Sequence, residues 1–395
     1  MKPSQWELKE LGTVATFLSG GTPSKSNPSY WGGTIPWITA KDLKTFYLET
    51  SGLKVTEAGA KNGARRVPKG TVLILVRGMA LKKDIPLGVT TEEVTFNQDV
   101  KALVPKDINP VYLGYYLFYQ KPRLMSMVSE TGHGAGRLQT DQLSALPISI
   151  PSMQEQQKLS DIFALWDKAI SLCEKLLNEK KRFGKGLTEQ LLSGRKRFPA
   201  FSAPWKEVRF SDITRECRQR NNGTLGVEAV RAVNKTLGMI PMRERSIGAN
   251  LDRYKVVNKN WFAYNPMRIN VGSICLWHGD EQALVSPDYV VFECDETRVS
   301  PLYVEYLRRI RRWQHYVQAA GNGSVRVRLF YKDLGNIKFQ IPSLEEQRKI
   351  TSLLTQSDRE IACYTRYIGL LQQEKKGLMQ RLLSEKKRIK SDCTS

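Results

Sequence analysis

The sequence is poor in the groups that usually carry chemistry. Among its 395 residues there are three histidines, and His133, His278 and His315 share no metal-ligand spacing. Six cysteines, Cys173, Cys217, Cys275, Cys294, Cys363 and Cys393, are scattered without a CxxC pair. That argues against a zinc site or a disulfide framework and fits the reduced thiols of a cytoplasmic protein. A nucleotide-binding loop, GxxxxGK followed by Ser or Thr, is missing. Gly132-x-Gly134-x-Gly136 has the wrong spacing for a dinucleotide turn and reads as a loop. Asn265-Pro266-Met267 lacks the second proline and the aromatic of an amino-methyltransferase loop, and Glu293-Cys294-Asp295 after Pro287-Asp288 lacks a nuclease lysine. Long apolar runs are missing too. Val72 to Val76 stops at Arg77 and Tyr112 to Tyr119 stops before Lys121, both too short to span a membrane, and the N-terminus has no apolar signal core. Acidic residues are the scarcest class relative to expectation, 39 against 61 basic ones, for a net charge of +22. Such an excess points to a polyanionic partner, nucleic acid ahead of an anionic membrane. The chain reads as one that binds and does not catalyse, with no cofactor or metal of its own.

What the sequence has is a repeat. Ile150-Pro151-Ser152-Met153-Gln154-Glu155-Gln156-Gln157-Lys158 returns 191 positions later as Ile341-Pro342-Ser343-Leu344-Glu345-Glu346-Gln347-Arg348-Lys349. The same shift pairs Asp167 with Asp358, Pro110 with Pro301 and Arg137-Leu138 with Arg328-Leu329, while Trp6 and Leu11 answer to Trp205 and Phe210 at a slightly larger one. Two copies of one unit imply approximate two-fold symmetry.

Each copy ends in a long helix. Ser152 to Glu155 and Ser343 to Glu346 fit the capping box, in which the serine accepts from the N3 amide and the glutamate reaches back. Leu159, Phe163, Trp166, Ile170, Cys173, Leu177, Lys180, Gly184, Leu187 and Leu191 then recur at alternating steps of four and three. The second copy places Ile350, Leu354, Ser357, Ile361, Tyr364, Ile368, Leu371, Lys375, Leu378 and Leu382 at matching positions. This is the seam of a two-helix coiled coil. Chain order favours an antiparallel pair, since a parallel one would make the intervening segment travel the whole rod, roughly 60 Å at 1.5 Å per residue. The expected fold is α+β: two α/β heads in pseudo-two-fold arrangement, joined by a long antiparallel two-helix coiled coil. Residues 1–150 form the first head, 151–198 the first long helix, 199–341 the second head, and 342–395 the second long helix with a basic tail. A fragment of residues 1–198 is expected to pair with its own copy through the shared seam.

The heads mix strands and helices. Thr71 to Val76, Trp261 to Tyr264 and Tyr289 to Phe292 read as strands; Pro110 to Tyr119 and Pro301 to Val317 read as helices opening on proline. Several segments suit DNA contact. Gly20, Gly21, Thr22, Ser24 and Lys25, followed by Tyr30, put small donors, a lysine and an aromatic on one loop. Asn322 leads into Ser324 to Leu329, where a strand would turn Ser324, Arg326 and Arg328 outward, able to reach guanine or phosphate; a solvated hairpin face fits the same pattern. The first head offers His133, Arg137 and Gln139 at the matching place. Arg308, Arg309, Arg311 and Arg312 lie opposite Leu302, Tyr306, Ile310 and Trp313, as phosphate contacts or a plain solvated face.

With these residues in view, the chain resembles the specificity (S) subunits of type I restriction-modification systems over essentially its whole length. The resemblance rests on the two Ile-Pro-Ser … Glu-Gln … Lys repeats opening long helices and on Leu191-Leu192-Ser193-Gly194. Ser19 to Pro23, Trp31 to Trp37 and Asn97-Gln98-Asp99-Val100 in the first head look like one target-recognition domain. Tyr264 to Asn270, with Arg268 and Asn270, and Leu284 to Tyr289 look like another. The resemblance implies an adaptor for double-stranded DNA. Each head would read half of a split, asymmetric target. Two methyltransferase (M) subunits would bring S-adenosylmethionine, and motor-nuclease (R) subunits would bring ATP and Mg. An S-like subunit of another defence or methylation system, a stand-alone DNA methyltransferase or nuclease, and an assembly scaffold remain as other readings.

Overall fold

The computed structural model describes residues 6–132, 134–243, 246–319 and 328–384. Chain contacts divide it into two compact units, residues 1–174 with 366–395, and residues 175–365. Each unit therefore holds one head, the half of its own long helix nearest to it, and a half of the other long helix.

The first unit is built on a five-stranded sheet in the order Ala15–Ser19, Val100–Pro105, Val72–Leu75, Leu87–Thr90, Tyr47–Leu48. Val72, Leu73, Ile74 and Leu75 are all fully buried, as a strand covered on both faces requires. A second sheet runs Lys54–Val55, Trp31–Ile38, Val94–Phe96, Arg65–Val67. The helix Pro110–Tyr119 covers the first sheet with Tyr112, Leu113, Tyr115 and Leu117. Its start is fixed chemically: Pro110 has no amide proton to leave unpaired, and the Asn109 side chain accepts from the amides of Val111 and Tyr112.

The second unit repeats this plan. Thr214–Cys217, Val290–Cys294, Phe262–Tyr264 and Ile274–Leu276 form a sheet in that order, matching the first four places of the sheet in the first unit. Its core is aromatic, with Phe262 stacked on Phe292 at 4.8 Å and Phe210 edge-on to Phe292 at 5.3 Å. In both units a short antiparallel pair closes the head, Glu7–Glu10 on Pro147–Ile150 and Lys206–Arg209 on Lys338–Ile341.

The long helices run Met153–Leu192 and Leu344–Leu383, 40 residues each. Every position of the 4-3 repeat is buried or half-buried. Within the first unit Asp167 meets Lys375 and Glu174 meets Gln372; within the second, Lys180 meets Glu360 and Gly184 lies against Ser357. One helix descends as the other rises, so in each unit the two segments pack antiparallel. Leu159, Phe163, Met379 and Leu383 join the core of the first head; Leu191, Leu192, Ile350 and Leu354 join that of the second.

Three local expectations change. Pro301 to Val317 is not one helix but two, Pro301–Leu307 and Arg311–Ala319. Between them the amides of Arg309 and Ile310 bond three residues back, a tighter turn that buries Ile310 and sends Arg309 outward to Asp358. Gly132 to Gly136 is not wholly loop, because Gly136–Arg137 is a strand paired on both sides. Both capping boxes are half made among the described residues: Ser152 accepts from the Glu155 amide with no return bond from that glutamate. Ser343 accepts from the Glu346 amide, but the buried Glu346 carboxylate takes a bidentate pair from Arg197, at 2.9 and 2.8 Å.

Candidate nucleic-acid interface

The glutamine of the repeated motif is the joint between helix and head. Buried Gln156 accepts from the Asn109 amide and donates to the Pro151 carbonyl, at 2.8 and 2.9 Å. Buried Gln347 accepts from the Ser300 amide at 2.9 Å and donates to the carbonyls of Pro342 and Arg298, at 3.0 and 3.1 Å. An amide side chain does this because it is donor and acceptor at once. About three turns further along each long helix, the Tyr115 hydroxyl donates to Asp167 at 2.7 Å and the Tyr306 hydroxyl to Asp358 at 3.0 Å. Burial, with the bonds to Tyr47 and Asp167, pushes the Tyr115 phenol far above its ordinary range, so it stays a donor.

On this frame the first head presents two candidate segments, both tied to Asn97-Gln98-Asp99. The Phe96 carbonyl accepts from the Gly21 amide at 2.9 Å, and Gln98 accepts from the Thr22 hydroxyl at 2.6 Å. The Asp99 carbonyl accepts from the amides of Val76 and Arg77. Gly20 and Gly21 are needed for packing: a Cβ on Gly20 would sit 2.4 Å from the Phe96 carbonyl oxygen, and one on Gly21 2.1 Å from that of Gly63. The indoles of Trp31 and Trp37 donate to the carbonyls of Ser24 and Gly21, which pins the loop. Thr22 and Ser24 have their hydroxyls partnered within the head, Tyr30 is half-buried, and Lys25 is exposed.

The second segment carries a residue that the sequence reading passed over. Arg137 is directly opposite Arg77 across an antiparallel pair, both exposed. Like charges so placed repel, which costs stability unless an anion joins them. Beside them the Leu138 amide donates to the Val76 carbonyl at 2.9 Å. The second head repeats this bond, from the Leu329 amide to the Pro266 carbonyl at 3.1 Å. It too is flanked by exposed arginines, Arg328 on one side and Arg268 on the other. Among the described residues, none of the four arginines has an ion-pair partner. The sequence signal for Arg77 was its place at the end of the Val72 strand, where the charge breaks an apolar run.

Other candidates divide. Asn270 is exposed in the same turn as Arg268, Ile269–Val271. Gln139 is exposed just before the helix Thr140–Ser144. His133, Asn322, Ser324 and Arg326 lie outside the described residues. Arg328 and Leu329 are exposed and buried in turn, but no strand forms there; the chain runs on into the helix Tyr331–Gly335. Two of the four arginines near Ile310 are committed elsewhere: Arg308 pairs with Glu305, and Arg309 with Asp358 at 2.8 Å. Arg312 donates to the Tyr316 hydroxyl, and Arg311 is exposed.

Three of the thiols are core groups. Cys217, Cys275 and Cys294 are buried, and burial pushes the first two up to about 12. Brief alkylation of the folded protein should therefore label Cys363, which is exposed, and spare these three until the protein unfolds. Mass spectrometry of the alkylated peptides checks this, and early labelling of Cys275 would contradict the packing.

Comparison with known proteins finds similarity both in sequence and in fold. Residues 3–182 match the model for the type I restriction modification DNA specificity domain. The type I restriction enzyme MjaIX specificity subunit of Methanocaldococcus jannaschii is 32% identical over 191 residues, which are 46% of this chain and 40% of that one. The chain thus spans well under two thirds of that relative. The MjaVIII specificity subunit of the same organism is 22% identical over 415 residues, covering 98% of this chain and 94% of its own. The crystal structure of the type I restriction-modification system S subunit from M. genitalium shares the fold, with a TM-score of 0.58 at 13% identity over 97% of both chains. Over residues 3–182 the chain matches the type I restriction modification DNA specificity domain, and over nearly its whole length it is similar in sequence and in fold to type I restriction-modification specificity subunits.

Proposed function

We propose that the chain reads a two-part, asymmetric DNA target, one part with each head, and positions adenine methyltransferase (M) and motor-nuclease (R) subunits on it. The observation that carries this reading is the repeated arginine pair. Arg77 with Arg137, and Arg268 with Arg328, stand at the same backbone joint of the two heads, exposed and without carboxylate partners among the described residues. Arginine is the side chain best suited to bidentate contact with guanine or phosphate. The net charge of +22 supplies the general attraction. The residues around the two joints differ, Gly78 and Gly136 in one and Met267 and Asn270 in the other, which suits two different half-sites.

In this reading the chain is non-catalytic and cytoplasmic and holds no cofactor. S-adenosylmethionine belongs to the M partner, ATP and Mg to the R partner. Methylation of an adenine requires the base to leave the stack, and the pocket that receives it is the partner's. Among the described residues no helix is long and apolar enough to cross a membrane.

The test is the methylated motif of cells carrying the complex. R77Q with R137Q should relax one half of the motif, and R268Q with R328Q the other, each costing about 1–3 kcal/mol per lost base contact. Binding of the complex should also weaken steeply with salt. If both halves weaken together and only the salt slope changes, the arginines hold phosphates and do not read bases.

A further inference from the structure

The two copies solve one electrostatic problem in different ways. Asp167 and Asp358 are equivalent carboxylates of the repeat, each held by the equivalent tyrosine, Tyr115 or Tyr306. In the first unit the cation comes from the other long helix: Lys375 reaches Asp167 at 2.5 Å, with side-chain exposures of only 11% and 26%. On its way the Lys375 ammonium passes over the rings of Tyr115 and Phe118, at 5.0 and 5.7 Å.

In the second unit both positions are exchanged. The residue equivalent to Lys375 is Gly184, whose Cβ would come within 3.0 Å of the Ser357 hydroxyl. The residue equivalent to Phe118 is Arg309, which pairs with Asp358 at 2.8 Å and lies over the Tyr306 ring at 4.4 Å. One head thus supplies its own cation and the other borrows one from the partner helix. If the first long helix paired with a copy of itself, Asp167 would face Gly184 on one side and Phe118 on the other, with no cation at either place. The reverse self-pairing would direct Lys375 and Arg309 to a single Asp358.

We propose that this exchange of Lys375 with Phe118 for Gly184 with Arg309 is a pairing code, by which the first long helix accepts the second and rejects a second copy of itself. A carboxylate half-withdrawn from water and left without its cation is strongly destabilising, whereas a matched pair is close to neutral. The code therefore acts against the wrong partner more than it strengthens the right one. It limits the self-pairing that the shared seam alone would allow.

The experiment uses the full chain and thermal unfolding. K375M gives Asp167 the charge surroundings of the self-paired state while keeping a helix-forming side chain of similar length. Its melting midpoint should fall by about 5 °C or more. F118R in the K375M background transplants the arrangement of the second head and should recover at least half of that loss. Position 118 has Lys121 three residues on, as Arg309 has Arg312, but Gly114 where Arg309 has Glu305, so Asp167 is the carboxylate left for the transplanted arginine. F118R alone, with Lys375 still present, should bring no gain. A K375M protein as stable as the parent overturns the proposal. So does a double variant no better than K375M, whether K375M melts low or fails to fold, because the cation would then not be exchangeable between the two sources.

Discussion

Gln347→Leu is expected to cost the second unit about 3–5 kcal/mol. Leucine has nearly the volume of glutamine but strands three backbone groups, the buried Pro342 carbonyl and the part-buried Ser300 amide and Arg298 carbonyl. Each unpaired group costs about 1–3 kcal/mol. For a unit of this size that corresponds to a fall of about 10 °C in the melting midpoint. Gln156→Leu strands two groups, the Asn109 amide and the Pro151 carbonyl, and should cost less. Gln347→Glu keeps the acceptor but sets a carboxylate against two carbonyl oxygens, so it should do no better than leucine. Denaturant titration of the three variants decides the matter. A cost under about 1 kcal/mol for Gln347→Leu would mean that water replaces the side chain and that the glutamine is not what fastens helix to head.

Phe292→Ala should be comparably severe. Phe292 is fully buried, stacked on Phe262 and edge-on to Phe210, with Tyr264 and Tyr331 around it. Removing the ring leaves a cavity that four aromatic neighbours cannot close without leaving their own contacts. The expected loss is about 3–5 kcal/mol. Phe292→Leu keeps part of the volume and should lose less. Because the protein holds two units, unfolding followed by different probes need not coincide. The loss should appear in tryptophan signals from Trp313, which contacts Phe210, before it appears in those from Trp31 and Trp37. Equal and simultaneous change at all of these tryptophans would mean that the two units unfold as one.

The predicted losses fall on residues whose importance the sequence marked unevenly. Gln156 and Gln347 stood out because the motif occurs twice, but their role was invisible, since it depends on amides 47 residues away in each copy. Phe292 stood out only as one of several aromatic residues in strands. The arginines around Ile310 were misleading for the same physical reason. A run of cations on a helix looks solvated, yet Glu305, three residues back in the same helix, takes Arg308, and the tertiary structure brings Asp358 against Arg309.

What the sequence determined by itself is whatever obeys a local rule. The 4-3 spacing over Leu159 to Leu191 and Ile350 to Leu382 is a property of one helix turning at its own pitch, so it was readable without a partner. The same holds for the prolines opening helices at Pro110 and Pro301, for the two serine caps, and for the buried strand at Val72. Repetition at a fixed shift needs no structure at all. Only the tertiary structure decided the pairings: Arg77 opposite Arg137, Glu346 with Arg197, Lys375 with Asp167. The partners in the last two lie 149 and 208 positions apart. Electrostatic attraction is set by distance in space and by the exclusion of water, and a sequence records neither.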